Sequence, residues 1–254
     1  MTTFQRARSE EQRAMRRQAI LDTAAAMLAE MPVAQVSLNE LSRRVGLAKS
    51  NVLRYFESRE AVLLELLDVA SREWLEHLDG ALTAALGTGT GTPYERGDRV
   101  AATLAATLAD RPVLCDLAAA QAAVLEHNVS PLVAAQYKRA AVANAVTLSG
   151  LIREHVRELG EHDAMRFTAA TIMVTGAIWT HSRPAAAMLA AYEADPSLAA
   201  MRLDFTTALR ETLEVLITGL LARPSHRSAR SPLADPIKKT RRGEQHGTHD
   251  DKNH

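Results

Sequence analysis

Lys49, Ser50, Asn51, Arg54 and Tyr55 share the outward face of a short stretch that reads as helix from near Lys49 to near Phe56. Their chemistry suits nucleic acid. An Asn side chain pairs bidentately with the edge of adenine, and an Arg with guanine, so both can distinguish bases in a major groove. Lys, Ser and Tyr offer cations and hydroxyls for phosphate oxygens. The opposite face carries Val52 and Phe56, which need an apolar partner.

The elements that must hold this face are legible upstream. Ser37-Leu38-Asn39-Glu40 reads as a capping box, with Ser37 accepting from the new helix and Glu40 reaching back. Leu38, Leu41 and Val45 form the inner side of that helix, and Gly46 supplies a left-handed C-cap. Gly46-Leu47-Ala48 is then a three-residue turn with Leu47 plugging the corner, so residues 37–56 form a helix-turn-helix. Ser37 and Asn39 open its first member, whose N-terminus can meet a phosphate. Two such short helices cannot bury enough surface alone. The third wall is expected from a helix over about 11–31, where Ala19, Ile20, Ala24, Met27, Leu28 and Met31 make one stripe before Pro32 stops it.

The string Gly46-Leu47-Ala48-Lys49-Ser50-Asn51-Val52-Leu53-Arg54-Tyr55-Phe56, followed by Ser58-Arg59-Glu60 and an apolar helix, resembles the DNA-binding domain of TetR-family transcriptional regulators. The likeness covers about residues 11–66. It implies an all-α homodimer that represses transcription from a palindromic double-stranded DNA operator and answers to a small-molecule effector of unknown identity. Three positions depart from the family pattern. Leu53 stands where an aromatic is frequent and cannot offer a hydroxyl to phosphate. Ala48 replaces a frequent Ser or Thr and caps poorly, at about 1 kcal/mol. Arg59 replaces a usual Lys and keeps its charge for a phosphate. The DNA-contacting set is therefore Ser37, Asn39, Lys49, Ser50, Asn51, Arg54, Tyr55 and Arg59.

The 254 residues carry 30 Lys+Arg and 30 Asp+Glu, a formal charge of zero that argues against nucleic acid only until it is divided. Residues 1–56 hold nine basic and five acidic side chains (+4), residues 222–254 eight and four (+4), and the remainder is −8. A basic head on an acidic body fits DNA contact through the head. Apolar residues at 47% support a sizeable core. Cys115 as the sole cysteine excludes an internal disulfide framework. Met1–Ser9 carries Arg6 and Arg8 without a following apolar run, so no signal peptide is expected there. A membrane span is not expected either, because no stretch of about 18 apolar residues is free of charge. The expected setting is cytoplasmic.

Ala and Leu dominate and no window alternates for long, so the fold class is all-α, with about nine helices. Ser58 caps a long fourth helix to about Leu86, and Gly87–Pro93 breaks it. Helices follow at roughly 96–109, 112–127, 131–159, 162–190 and 197–222, with Pro184 expected to kink or end the eighth early. Three regions result: a helix-turn-helix domain at 1–57, a ligand-binding and dimerisation domain at 58–222, and a disordered basic tail at 223–254. Leu198, Met201, Phe205, Leu209, Leu213, Leu216 and Leu220 form a stripe that suits packing between subunits or within one. The resemblance favours the former, with the last two helices forming the dimer interface. It also places an effector pocket inside the body. Trp74, Tyr137, Asn144, Met173 and Trp179 are the candidate lining, as stacking surfaces, a polar anchor and adaptable volume.

Two other readings remain open at this point. A non-specific architectural DNA binder would rely on phosphate contacts and the basic tail. A small all-α enzyme has less support. Cys115 has no cationic neighbours to activate it, His155 and His162 are separated by Gly160, and the Gly-Thr repeat lacks the Lys of a phosphate loop. No metal, cofactor or catalytic residue is expected.

Overall fold

The computed structural model describes residues 3–87 and 89–223. The expected tail lies outside these residues, apart from Arg223. Eleven α-helices and no strand are present among them. Three helices build the head: α1 (Thr3–Glu30), α2 (Leu38–Arg44) and α3 (Lys49–Val52). Pro32 ends α1 as expected, and a 3-10 turn at Val33–Gln35 bridges to α2. Ile20, Ala24, Met27 and Leu28 of α1 close over Leu41, Val52 and Phe56, each buried.

The turn chemistry is specific. Ser37 Oγ accepts from Glu40 N at 3.2 Å, which is half of the expected box. Glu40 does not reach back, because its carboxylate is taken by Arg43 and Arg44. At the other end Leu47 N donates to Ser42 O (3.0 Å) and Gly46 N to Arg43 O (3.3 Å). With Gly46 at φ +70 this is a Schellman C-cap, which satisfies two carbonyls that the helix leaves open. Only Lys49–Val52 is regular α-helix in the next element. Tighter bonds from Arg54 N to Asn51 O and Tyr55 N to Val52 O carry the chain on to Phe56.

Ser58 caps α4 (Arg59–Leu86) by accepting from Ala61 N, and α4 runs through both head and body. Its first turns bury Val62, Leu63 and Leu66 under the head, and its later turns bury Leu75, Leu78 and Leu82 in the body. The body adds α5 (Pro93–Ala109), α6 (Pro112–Ala120), α7 (Pro131–His155), α8 (Glu161–Ser182), α9 (Ala186–Ala194), α10 (Pro196–Ala199) and α11 (Phe205–Ala222). A complete capping box starts α5, where Thr92 and Glu95 exchange bonds of 3.2 and 2.8 Å around Pro93. The described helices form one compact unit that ends at Arg223.

Several boundaries differ from expectation. The stretch after α6 widens into one π-turn at Gln121–Leu125. Pro184 does end α8, and what periodicity joined into one last helix is divided at residues 200–204. Leu198 and Met201 therefore leave the expected stripe. They are exposed, and α9 and α10 bury no residue. Of the expected stripe Phe205, Leu209 and Leu213 are buried and face inward against α5 and α8, joined by Ile217, whereas Leu216 and Leu220 are only half-buried. Gly97 sits beneath Ile217, where a Cβ would meet it at 3.2 Å. No described helix is long and apolar enough to cross a membrane.

Candidate nucleic-acid interface and body cavity

Ser37, Asn39, Lys49, Ser50, Asn51 and Arg54 are all exposed, and Tyr55 is half-buried. The segment that carries the last five of these is seated by one side chain. Arg17 of α1 donates from Nη1 to Tyr55 O (2.7 Å) and from Nε to Glu65 Oε1 of α4 (2.7 Å). Its guanidinium also lies 4.1 Å from the centre of the Phe56 ring. The end of the segment over 49–56 is thus fixed against two long helices without using its outward side chains.

Pairing also sorts the head's cations. Arg43 and Arg44 both bond Glu40, and Arg44 also bonds Glu30 at 2.6 Å. Those hydrogen bonds, the Arg43 one foremost, pull the Glu40 carboxyl down to about 2. Arg59 turns inward: its Nη1 donates to Val36 O (3.0 Å) and its Nε lies 3.2 Å from Glu60. It is half-buried, as Tyr55 is, and its guanidinium is spent on the connector before α2 and not presented with the six exposed residues. Arg13, Arg16, Lys49 and Arg54 pair with no described acid. Gln12, Arg13 and Arg16 meet Arg54 and Tyr55 around one polar hollow. These α1 residues escaped sequence reasoning because they lie far in sequence from the helix-turn-helix. Their i, i+3 spacing before Arg17 was the available signal. Leu53, 42% exposed, stands on the same surface, and Ala48 makes no side-chain cap bond.

A cavity of about 170 Å³ opens in the body between α4, α5, α6, α7 and α8. Trp74, Tyr137 and Asn144, three of the five candidates, line it. Trp74 Nε1 donates to Thr107 Oγ1 at 3.1 Å, and Asn144 Nδ2 to Asp68 Oδ1 at 2.9 Å. Burial first, then the charges of Glu126 and Asp68, push the Tyr137 hydroxyl upward, so it stays protonated. Met173 and Trp179 are elsewhere. Met173 is 68% exposed on the outside of α8. Trp179 packs edge-on against Phe205 with ring centres 4.8 Å apart and donates to Asp116 at 2.6 Å. Both share a helix with lining residues but point off the lining face.

Asp68, Ser71, Gln121, Thr171 and Thr175 also line the cavity. Asp68 and Ser71 stand two turns and one turn before Trp74 and Leu75 on α4, so helical register from Trp74 was the signal for them. Cys115 is there too, with its thiol pushed up to about 12 by burial and the neighbouring Asp116. A thiol so raised holds almost no thiolate near neutral pH, which removes its nucleophilic form. The head and this body meet directly where Ser130 N, at the start of α7, donates to Glu57 Oε1 at 2.5 Å.

Residues 20–66 match the family of bacterial regulatory proteins, tetR family, and residues 68–224 match a tetracyclin repressor-like C-terminal domain. Among curated proteins, the HTH-type transcriptional regulator EthR of Mycobacterium tuberculosis is 44% identical over 50 residues, which are 20% of this chain and 23% of that protein. The chain thus matches less than a quarter of that relative's length. A possible TetR family transcriptional regulator from Streptomyces coelicolor A3(2) superposes with a TM-score of 0.53 at 23% identity, over 80% of this chain and 98% of that one. FadR from Bacillus subtilis, solved in complex with stearoyl-CoA, superposes at 0.51 with 16% identity over 80% and 98%. At those identities the likeness is one of fold.

Proposed function

The chain belongs to the TetR family of transcriptional regulators, and from that premise we propose that it is a cytoplasmic homodimeric repressor that leaves a palindromic operator when a small molecule fills the body cavity. The observation that carries the reading is the exposed face of Lys49, Ser50, Asn51 and Arg54, held in place from behind by Arg17. Residues 1–57 act as the DNA-binding head, with Asn51 and Arg54 reading base edges. Ser37, Asn39, Lys49, Ser50 and Tyr55 take backbone phosphates, joined by Arg13 and Arg16. Arg59 serves by fixing the turn before α2.

Residues 58–222 act as the effector and dimer body. The inward leucines of α11 are spent within the subunit, so the partner is met by the outer face of α8 and α11. Met173 and Val215 are exposed there among small residues such as Ala169, Ala177 and Gly219. Two recognition segments must stand about 34–36 Å apart to enter successive major grooves. Ligand in the cavity favours a different spacing, because α4 lines the cavity and carries Glu65, which holds Arg17. The Glu57–Ser130 contact gives α7 a second grip on the head.

Selection of bound fragments from random DNA tests the reading. A recovered palindrome, bound much more tightly than random DNA at one fixed salt concentration, is the expected result. A ratio near one would exclude specific regulation and leave an architectural binder.

A further inference from the structure

We infer that the body cavity takes a compact lipophilic amine, its ammonium group directed to Asp68 and its apolar part against Trp74 and Tyr137; the inference rests on the effector reading above. Size comes first. A cavity near 170 Å³ is close to the roughly 150 Å³ that holds one benzene, so a single ring with a short substituent fills it.

Charge comes second. Asp68 is the one Asp or Glu among the lining residues, and no Lys, Arg or His lines the space. An anionic ligand would lose its water beside a like charge with no cation to receive it. An ammonium ligand meets the opposite situation. Asp68 accepts one bond from Asn144 on Oδ1 and one from Arg72 Nε (3.2 Å) on Oδ2, which leaves part of its acceptor capacity open. Arg72 is a surface residue, 57% exposed at its side chain, whereas Asp68 is 21% exposed. Its charge is therefore screened by water more than that of a ligand inside the cavity would be.

The remaining polar lining agrees. The hydroxyls of Ser71, Thr171 and Thr175 each donate to a carbonyl of their own helix, at 2.7, 2.9 and 2.7 Å. What they present to the cavity is lone pairs. Beside the Tyr137 hydroxyl and the Asn144 and Gln121 amides, these three acceptors, one carboxylate and two aromatic rings suit a head group made only of donors.

Phenethylamine, phenethyl alcohol and phenylacetate have nearly the same size and differ in charge. Each is titrated into the full chain by calorimetry, with tryptophan fluorescence in parallel. The amine is expected to bind about tenfold or more tightly than the alcohol, and phenylacetate weakest. Asp68→Asn, which keeps the shape, should bring amine and alcohol within about twofold of each other. Arg72→Gln removes the competing surface cation and should raise amine affinity several-fold while leaving the alcohol unchanged. The inference is overturned if phenylacetate binds as well as the amine, if Asp68→Asn keeps the preference, or if none of the three binds. A gel shift on the operator separates it from the effector reading: amine that binds in the cavity but leaves operator affinity unchanged sinks the effector role and not the site.

Discussion

Head and body solve positioning in opposite ways. In the head the geometry is set by charged side chains at the surface. Arg17, Arg43, Arg44 and Arg59 are each tied to a carboxylate or a carbonyl, and the untied Lys49, Arg54, Arg13 and Arg16 face outward. In the body aliphatic packing has the larger share, helped by bonds that span helices, such as the buried one from Trp74 to Thr107 and the half-buried one from Asn144 to Asp68, with Arg96 on His155 O and Glu158 and Arg183 on Asp116 as its charged ties. The head should therefore answer to charge, and the body to volume.

Replacing Arg17 with Ala gives the largest expected effect. It removes three hydrogen bonds, two of them to the Glu65 carboxylate, and a cation–π contact with Phe56, about 2 kcal/mol of stability. Operator affinity should fall by about tenfold or more as Arg54 and Tyr55 lose their seat. Thermal melting and operator titration check it. Arg17→Lys should rescue little, because the fork that reaches both Glu65 and Tyr55 O is lost. An unchanged operator affinity in Arg17→Ala would break the claim that the head is held by its ion pairs.

Asn51→Ala comes next. It should cost about 1–3 kcal/mol on the cognate site alone, whereas Lys49→Ala should weaken all DNA alike and flatten the salt dependence by about one charge. Equal losses on cognate and random DNA in the Asn51 variant would put base reading elsewhere. The matching change in the body is Gly176→Ala. Its new Cβ would stand 3.2 Å from the Ala119 Cα and 3.3 Å from the Ala118 carbonyl, backbone atoms that yield only if α6 moves from α8. Overpacking of that kind costs about 1–3 kcal/mol, and the helix propensity of Ala returns up to about 1. A net loss in melting with discrimination between operator and random DNA unchanged would sharpen the division between head and body.

The same division explains what the sequence made legible. The helix-turn-helix is local, so Ser37, Gly46 and the outward residues of 49–55 were readable from spacing and turn chemistry. Arg59 was read for its charge, but its target, the Val36 carbonyl, arises only when the connector folds back. In the body, Trp74, Tyr137 and Asn144 were found by residue type, yet Met173 and Trp179 were not in the cavity, because type does not set which side of a helix faces it. Asp68 was missed since an acid on a long helix reads as solvated surface. The inward stripe of α11 was visible, but periodicity does not say whether a leucine face is covered by its own subunit or by a partner. The gap at residues 200–204 was hidden because Leu198 and Met201 continue the spacing.

Gly46→Ala should be milder than Arg17→Ala. At φ +70 a Cβ meets no atom within 4 Å, so the cost is backbone strain alone, about 1 kcal/mol. Melting should show that loss, with the salt dependence of DNA binding unaltered.

The smallest effect is expected at Glu40, and it isolates charge from geometry. Its carboxyl, held at about 2 by Arg43 and Arg44, is depressed from an ordinary value near 4.5. The stability it lends is complete above the ordinary value and is lost as pH falls through about 2. Both arginines are at the surface, so the contribution is small and weakens with salt. Glu40→Gln should flatten this acid limb in a melting series across that window. It also releases Arg43 toward solvent, while Arg44 keeps its bond to Glu30, and adds one positive charge to the head. Binding to random DNA should then strengthen, with a steeper salt dependence, while the ratio of operator to random affinity falls. If random binding stays as it was, pairing does not decide which cations meet DNA, and the head differs from the body in shape alone.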